Sequence, residues 1–313
     1  MATTSNIPAD DQYLKAELDV FIPEVWGDAI KASFDQNLVL GALANDLSGL
    51  VAGGGDLIHI PTYADVADAA SKGQGSPVNY QTNTETETTM TIDQHFYTSA
   101  MVDDLAKVQS SYELISKYAG SMGYKLSKRI ESHLENLMEQ TTGVIDINTG
   151  TDGVLEAADF SAIYKVLLAN NVRPEDCTLI LGNTMFANLF QNEHFIHSSK
   201  VGNVNLPAGG VGTFMGMSVV HCPEISGTAK PESNDYNLNT ANAILDDAIG
   251  GYVLHKDGLQ IAYSKRPTAK AEYDMDYIAH KMVTDMIYGC KLINSSTRRT
   301  CFAIVSNGDA DLS

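Results

Sequence analysis

Two histidines stand at a spacing that can hold a metal ion. His194 and His197 lie three residues apart in the run EHFIH, so a helix would place both imidazoles on one face. A zinc site needs three or four protein ligands, and the pair His221-Cys222 is a candidate for completing the set. Because no third ligand is placed by spacing and HExxH is absent, the sequence predicts no metal site and no cofactor.

The candidates for nucleophilic or acid–base chemistry are equally incomplete. Cys222 directly follows His221, and neighbouring residues of a strand point to opposite faces, which is a poor arrangement for an activated thiol. No GxSxG motif occurs, and the carboxylate pairs at 103–104 and 246–247 fall at a predicted helix start and strand end, where solvation explains them. We therefore expect no catalytic residue and no enzyme activity.

The glycine-rich run at 209–216 does not match a nucleotide-binding loop. Gly210 and Gly212 are followed by Gly216, one residue too late for GxGxxG, and no GK[ST] follows. The run is typical of a tight turn between two strands.

The charge balance argues against nucleic-acid binding. The chain has 20 Lys and Arg against 39 Asp and Glu, a net charge of −19. Affinity for DNA comes mainly from cations that neutralise phosphates, which weighs against a polymerase, nuclease or repressor. The acidity also suits simple solubility.

Cysteine usage and hydropathy indicate a protein folded in a reducing compartment. The four cysteines are widely spaced and form no CxxC pair. No stretch is long and apolar enough to span a bilayer, and residues 1–19 lack the pattern of a secretory signal.

The front of the chain predicts a helix, a glycine turn and a strand. Apolar residues recur every four positions and predict one helix from Pro23 to Leu43. Three glycines at 53–55 follow, and then a short alternating strand at 56–60 that Pro61 ends. A core helix of an ordinary enzyme is an equally good interpretation of this segment alone.

A long hairpin and a long helix are predicted next. Alternating residues on the outgoing and returning sides predict a hairpin over 56–98, with a polar tip at 72–88 too poor in apolar residues to form a core. A short helix is predicted at 103–109, and a long one at 110–140. Leu134 belongs to the apolar stripe of the long helix, and we expect Glu135 on the opposite side, with Gly120 and Gly123 marking a bend.

The second half predicts an α/β segment and then a strand-rich end. Helices at 158–169 and 184–191 flank a buried strand at 178–181, and a strand–turn–strand unit covers 207–225. Residues 242–305 are strand-rich.

This order of elements resembles the major capsid proteins of tailed double-stranded DNA bacteriophages, whose fold is shared with encapsulins. The resemblance rests on the helix–glycine–strand start, the hairpin and long helix, the run Gly212…Gly216…Val219…Pro223, and the closing YGCKLIN strand. It implies an α+β fold in five parts: an N-terminal arm and helix (1–50), an extended loop (51–100), a peripheral domain with a spine helix (101–150), an axial domain (151–250), and a return through the peripheral domain to final axial strands (251–313).

The resemblance also implies a structural function. Copies would self-assemble as hexamers and pentamers into an icosahedral shell, with portal and scaffold proteins as partners and with DNA enclosed but not specifically bound. No membrane partner is expected, and the protein would be made in the host cytoplasm and reside in the virion. The expected inter-subunit contacts are Lys72, Gln74, Tyr80 and Trp26.

Two alternatives stay open at this point. An encapsulin-like compartment shell would share the fold. A cytosolic α/β hydrolase or metal enzyme would use His194 and His197.

Overall fold

The structure is a computed structural model. It describes residues 30–34, 38–51, 54–62, 71–72, 74–75, 77, 80, 86–103, 114–141, 143–147, 155, 157–189, 213–214, 216–225, 249–293 and 299–306. Within these ranges, the backbone alone is described at 62, 86, 114–116, 146, 157, 213–214 and 306.

Strands and helices alternate irregularly along the described chain. The strands there are β1 (Asn45–Asp46), β2 (Leu57–Thr62), β3 (Thr86–Thr91), β4 (Gln94–Asp103), β5 (Val144–Ile147), β6 (Cys177–Leu181), β7 (Thr213–Phe214), β8 (Met217–His221), β9 (Ile249–His255), β10 (Leu259–Asp274), β11 (Ala279–Leu292) and β12 (Cys301–Ser306). The labelled helices are α1 (Leu40–Leu43), α2 (Ser48–Val51), α3 (Leu114–Glu139), α4 (Ala157–Ala169) and α5 (Asn183–Leu189). Residues 30–34 are also helical.

The strands form three sheets among the described residues. A four-stranded sheet has the order β1-β10-β11-β4, and a six-stranded mixed sheet has the order β5-β12-β9-β6-β8-β7. The third is the antiparallel hairpin of β2 and β3. The strand-rich end predicted for 242–305 is confirmed where the structure describes it, because β9 to β12 lie there and supply strands to both larger sheets. Residues 242–248 and 294–298 lie outside the described residues.

The helix α3 joins the two larger sheets. Its buried residues Leu126, Ile130, Leu134 and Met138 share one core with Tyr252 of the six-stranded sheet and with residues of the four-stranded sheet. Burying each such side chain contributes about 1.5–3 kcal/mol. The predicted apolar stripe of the long helix is therefore confirmed, within bounds of Leu114–Glu139.

The prediction for the opposite side of this helix is wrong. Glu135 is only 3% exposed and His133 is 9% exposed. The reason is that α3 contributes to one core with strands from two sheets, so more of its circumference is buried than a single stripe suggests.

The predicted continuous helix from Pro23 to Leu43 is also wrong at its end. Residues 30–34 are helical, but the helix stops before Leu38, and α1 starts anew at Leu40. Glu131 of α3 explains the break. Its carboxylate accepts hydrogen bonds from the backbone N–H groups of residues 39–41, at 2.8, 2.8 and 3.0 Å, which a continuous helix would have donated to its own carbonyls.

Gly123 allows the first helical segment to cross α3 at close range. A Cβ atom at Gly123 would lie 2.5 Å from the carbonyl oxygen of Ile30. One turn earlier in α3, the carbonyl oxygen of Gly120 accepts a hydrogen bond from the hydroxyl of Ser33 at 2.8 Å. These glycines were predicted to mark a bend, and for Gly123 the structure gives a different reason, namely close packing of helix on helix.

The α/β segment forms the second core. Phe160, Ile163 and Leu167 of α4 and Met185 of α5 pack with residues of the six-stranded sheet, including Leu179. The predicted helices and the buried strand are confirmed here. Of the predicted strand–turn–strand unit, the described part is β7, Gly216 with φ of 89°, and β8.

The hairpin predicted over 56–98 is confirmed for β2 and β3 but is wrong at the end of its return side, because that strand stops at Thr91 and residues 94–98 belong to β4, which pairs with β11. Leu57 pairs with Thr91 and Thr62 pairs with Thr86. Most of the predicted polar tip and most of the predicted helix at 103–109 lie outside the described residues. Asp103 itself ends β4 and does not begin a helix.

Candidate assembly surfaces

The residues first considered for chemistry are not brought together in the described part of the chain. His194 and His197 lie outside the described residues. His221 has its Nε2 2.7 Å from Oδ1 of Asn183, on the partly exposed side of β8. The neighbouring Cys222 is fully buried, and burial raises the pKa of its thiol to about 11. Cys222 is therefore a residue of the core, and its thiol is not a nucleophile.

The structure does form a cysteine–histidine pair that sequence reasoning missed. Sγ of Cys290 lies 3.3 Å from Nδ1 of His133, and the hydroxyl of Tyr288 lies 3.1 Å from the same nitrogen. Burial lowers the pKa of His133 to about 4 and raises the pKa of the Cys290 thiol far above its usual value. A reactive thiolate–imidazolium pair requires both shifts in the opposite direction, so this pair is part of the core.

The described residues hold neither a metal-binding cluster nor a membrane-spanning helix. They contain no group of three or more His, Cys, Asp or Glu side chains placed to hold a metal ion. No helix within them combines the length and the apolar character that crossing a membrane requires.

Three of the four expected contact residues are exposed in the structure. Lys72, Gln74 and Tyr80 all lie on the surface, and Tyr80 is 90% exposed. Trp26 lies outside the described residues. Single exposed aromatic side chains are normal on protein surfaces, so the contact role of these residues stays a prediction.

The base of the hairpin that leads to these residues is fixed to the body of the protein. Ile58 of β2 and Met90 of β3 share a small core with Val51 of α2 and Ala262 of β10. An exposed pair joins the two strands farther out, with Nδ1 of His59 3.2 Å from a carboxylate oxygen of Glu87. The hairpin thus leaves the body along a defined direction.

Exposed apolar side chains concentrate at the far end of the four-stranded sheet. Eight of the large hydrophobic residues that are at least 40% exposed belong to this sheet, its terminal turn or the adjoining face of α3: Tyr97, Met101, Tyr118, Tyr273, Met275, Tyr277, Ile278 and Val283. We call this set the distal patch. Large exposed apolar side chains gathered in one part of a molecule are candidates for an interaction surface.

The turn that carries part of the distal patch is held rigidly. The side chain of Asp274 accepts hydrogen bonds from the backbone N–H of Asp276 at 2.9 Å and of Tyr277 at 3.4 Å. Lys281 binds Asp274 and lies 4.6 Å from the centre of the Tyr277 ring. Ile278 adopts φ of 49°, a strained conformation for a β-branched residue, which the surrounding contacts maintain.

Comparison with solved structures shows which fold this is. The chain matches the capsid structure of cyanophage P-SCSP1u with a TM-score of 0.68, 16% identity, and coverage of 87% of this chain and 89% of that one. It matches the capsid asymmetric unit of cyanophage Pam1 with a TM-score of 0.65 and 12% identity, over 89% and 93% of the two chains.

A protein that is not named as a phage capsid also matches. The virus-like particle from Pyrococcus furiosus has a TM-score of 0.53 and 11% identity, over 90% of this chain and 98% of that one. No protein-family model matches the chain, and no curated protein sequence matches it. At these identities the likeness establishes architecture, and the chain has the phage capsid fold.

Proposed function

We propose that the protein is the structural subunit of an icosahedral shell that encloses the double-stranded DNA of a phage. The observation that carries the proposal is the fold likeness to phage capsid chains over nearly the whole length, with 87% of this chain and 89% of the P-SCSP1u chain aligned.

The surfaces of the subunit support self-assembly. The distal patch exposes large apolar side chains that an isolated soluble protein rarely leaves in contact with water. Tyr80, at the end of the anchored hairpin, is exposed in the same way. In a shell, both surfaces gain burial from neighbouring copies, so that assembly stabilises each subunit by mass action.

The proposal assigns each part of the chain a place in the particle. Residues 1–50 form the arm and its helix, and residues 51–100 form the extended loop. Residues 101–150 form the peripheral domain and residues 151–250 the axial domain. Residues 251–313 return through the peripheral domain and end in strands of the axial domain. Copies associate as hexamers and pentamers, aided by scaffold and portal proteins. The protein is made in the host cytoplasm, acts in the virion, and has no enzyme activity.

The acidic charge fits a wall around DNA. A net charge of −19 keeps the subunit from adhering to packaged phosphates. The free subunit should therefore not retain double-stranded DNA even at low salt, where phosphate contacts are strongest. Salt-sensitive retention by free subunits would contradict the inert-wall interpretation.

A compartment shell of the encapsulin kind is the second candidate, and the likeness to the virus-like particle favours it. The contents of purified particles separate the two. Phage shells made during infection hold the viral DNA, whereas compartment shells hold a cargo protein.

The loop provides a direct test of the assembly role. Deleting residues 72–84 should leave soluble protein that no longer closes shells, because Lys72, Gln74 and Tyr80 are lost together. A deletion of the same length at 228–240, in the other long polar run, is the matched control and should still assemble. Normal shells from the 72–84 variant, seen by electron microscopy, would show that the loop has no such role.

A further inference from the structure

Two methionines differ from all the others in the described part of the chain by their exposure. Met275 is 83% exposed and Met101 is 58% exposed. The remaining described methionines are at most 4% exposed: Met90, Met122, Met138, Met185, Met217, Met282 and Met286. Because the oxidation of a methionine thioether by peroxide follows its exposure, the sulfur atoms of Met101 and Met275 are the ones that an oxidant in solution can reach.

Both exposed methionines belong to the distal patch, and one ion pair links their positions. Met101 of β4 pairs across the ladder with Lys281 of β11. The amine of Lys281 binds the carboxylate of Asp274, which directly precedes Met275 in the rigid turn. The two thioethers therefore lie at the same end of the four-stranded sheet, on a surface to which the proposed function assigns contacts between subunits.

The cysteines do not compete for the same oxidant. Peroxide reacts with thiolates, and burial raises the pKa of all four cysteine thiols in the chain. The pKa rises to about 11 for Cys177 and Cys222 and to about 12 for Cys301. At neutral pH these thiols are protonated and unreactive, so the thioethers of the distal patch are the reactive sulfur groups of the described residues.

We propose that Met101 and Met275 are sites of reversible oxidation by hydrogen peroxide, and that their sulfoxides block assembly through the distal patch. In this step the O–O bond of peroxide breaks, one oxygen binds the thioether sulfur, which loses two electrons, and the other oxygen leaves as water. The sulfoxide oxygen is polar and needs a hydrogen-bond donor, which an apolar contact surface does not supply. This inference rests on the proposed function, because it requires the patch to be covered in the shell.

Mapping of sulfoxides by peptide mass spectrometry tests where oxidation occurs. In unassembled subunits treated with hydrogen peroxide, Met101 and Met275 should be oxidised about tenfold or more faster than Met282 and Met286, which lie in β11 of the same sheet but are buried. In closed shells, the two exposed sites should be oxidised about tenfold more slowly than in free subunits. Equal rates for exposed and buried methionines, or equal rates in shells and free subunits, would overturn the proposal.

Assembly of oxidised subunits tests the consequence. Peroxide-treated wild-type subunits should close shells at about one tenth or less of the untreated yield, and the two methionine sulfoxide reductases, one for each sulfoxide epimer, should restore it. A variant that combines Met101→Leu with Met275→Leu keeps apolar side chains of similar volume, so it should assemble with or without peroxide treatment. Met282→Leu makes the same change in the core and should leave assembly sensitive to peroxide.

The outcomes separate this proposal from the shell function. Normal assembly by oxidised wild-type protein, or no recovery after reduction, would overturn the proposal and leave the shell function intact. Sensitivity that persists in the double leucine variant would place the block at another residue and overturn it as well. If that variant fails to assemble untreated, the recovery of wild-type protein after reduction decides. If untreated wild-type protein forms no shells, the proposed function falls and the block on assembly falls with it, whereas the selectivity of oxidation is still measured on free subunits.

Discussion

Glu131 holds the start of α1 against the long helix, and replacing it with glutamine should measurably weaken the fold. The carboxylate is 4% exposed and accepts backbone N–H groups from Val39, Leu40 and Gly41 at 2.8, 2.8 and 3.0 Å. Burial raises the pKa of Glu131, and the three N–H groups oppose that rise by favouring the ionised form. A glutamine of the same shape keeps one oxygen but turns an N–H₂ group toward backbone donors.

The cost follows from the number of donors involved. A hydrogen bond to a charged group contributes about 1.5–3 kcal/mol, and buried donors left without an acceptor cost a similar amount. Since the three bonds share one carboxylate and do not add fully, we expect Glu131→Gln to lower the free energy of unfolding by about 3–5 kcal/mol. For a chain of 313 residues, that lowers Tm by roughly 5–8 °C.

Calorimetry and amide exchange on unassembled subunits measure these effects. The exposed Glu272→Gln is the matched control and should change stability by no more than about 0.5 kcal/mol. The amides of residues 39–41 should exchange faster in Glu131→Gln alone. If Glu131→Gln melts and exchanges like the control, the capping role assigned to this carboxylate is incorrect.

Three further outcomes test the same core. Gly123→Ala should destabilise the protein by about 1–3 kcal/mol, because the new Cβ would meet the backbone at 2.5 Å. Gly120→Ala has open space around its Cβ and should be neutral or stabilising in a melting experiment. Leu134→Asp buries a charge at several kcal/mol and should yield insoluble protein, while Ser121→Asp, exposed on the same helix, should remain soluble. Burial lowers the pKa of His133 from 6.5 in the unfolded chain to about 4 in the folded protein. Between these two pH values the unfolded state therefore holds more protons than the folded state. The stability present above pH 6.5 should therefore fall by about 3 kcal/mol as the pH drops to 4, and denaturant titrations of His133→Leu should show a smaller fall over that range.

The elements recoverable from sequence are those that a short repeating pattern specifies. The stripe through Leu126, Ile130 and Leu134 recurs at helical spacing, so it indicates the buried face of α3 directly. The strand at 178–181 is a continuous apolar run between turn signals, and β6 is found there. The order of these elements also carried the resemblance from which the fold class was predicted.

Contacts between distant residues were not recoverable, because no local pattern encodes them. Glu131 and Leu40 are 91 positions apart, and the sequence around neither residue shows that the Glu131 carboxylate interrupts the helix that leads to Leu40. Cys290 and His133 meet across 157 positions. Glu135 was misplaced for a related reason, since a single helical period assumes one packed face and α3 has more than one. The expected contacts at Lys72, Gln74 and Tyr80 remain predictions, because they involve a second copy of the chain.

The proposed role depends most directly on whether the purified protein closes into shells. Negative-stain electron microscopy, together with the particle mass from light scattering, measures this in one preparation. We predict closed, uniform shells built from many copies, with hexameric and pentameric arrangements visible on their surface. A homogeneous population of monomers or small oligomers, under conditions in which the protein is folded and its scaffold and portal partners are supplied, would contradict the account.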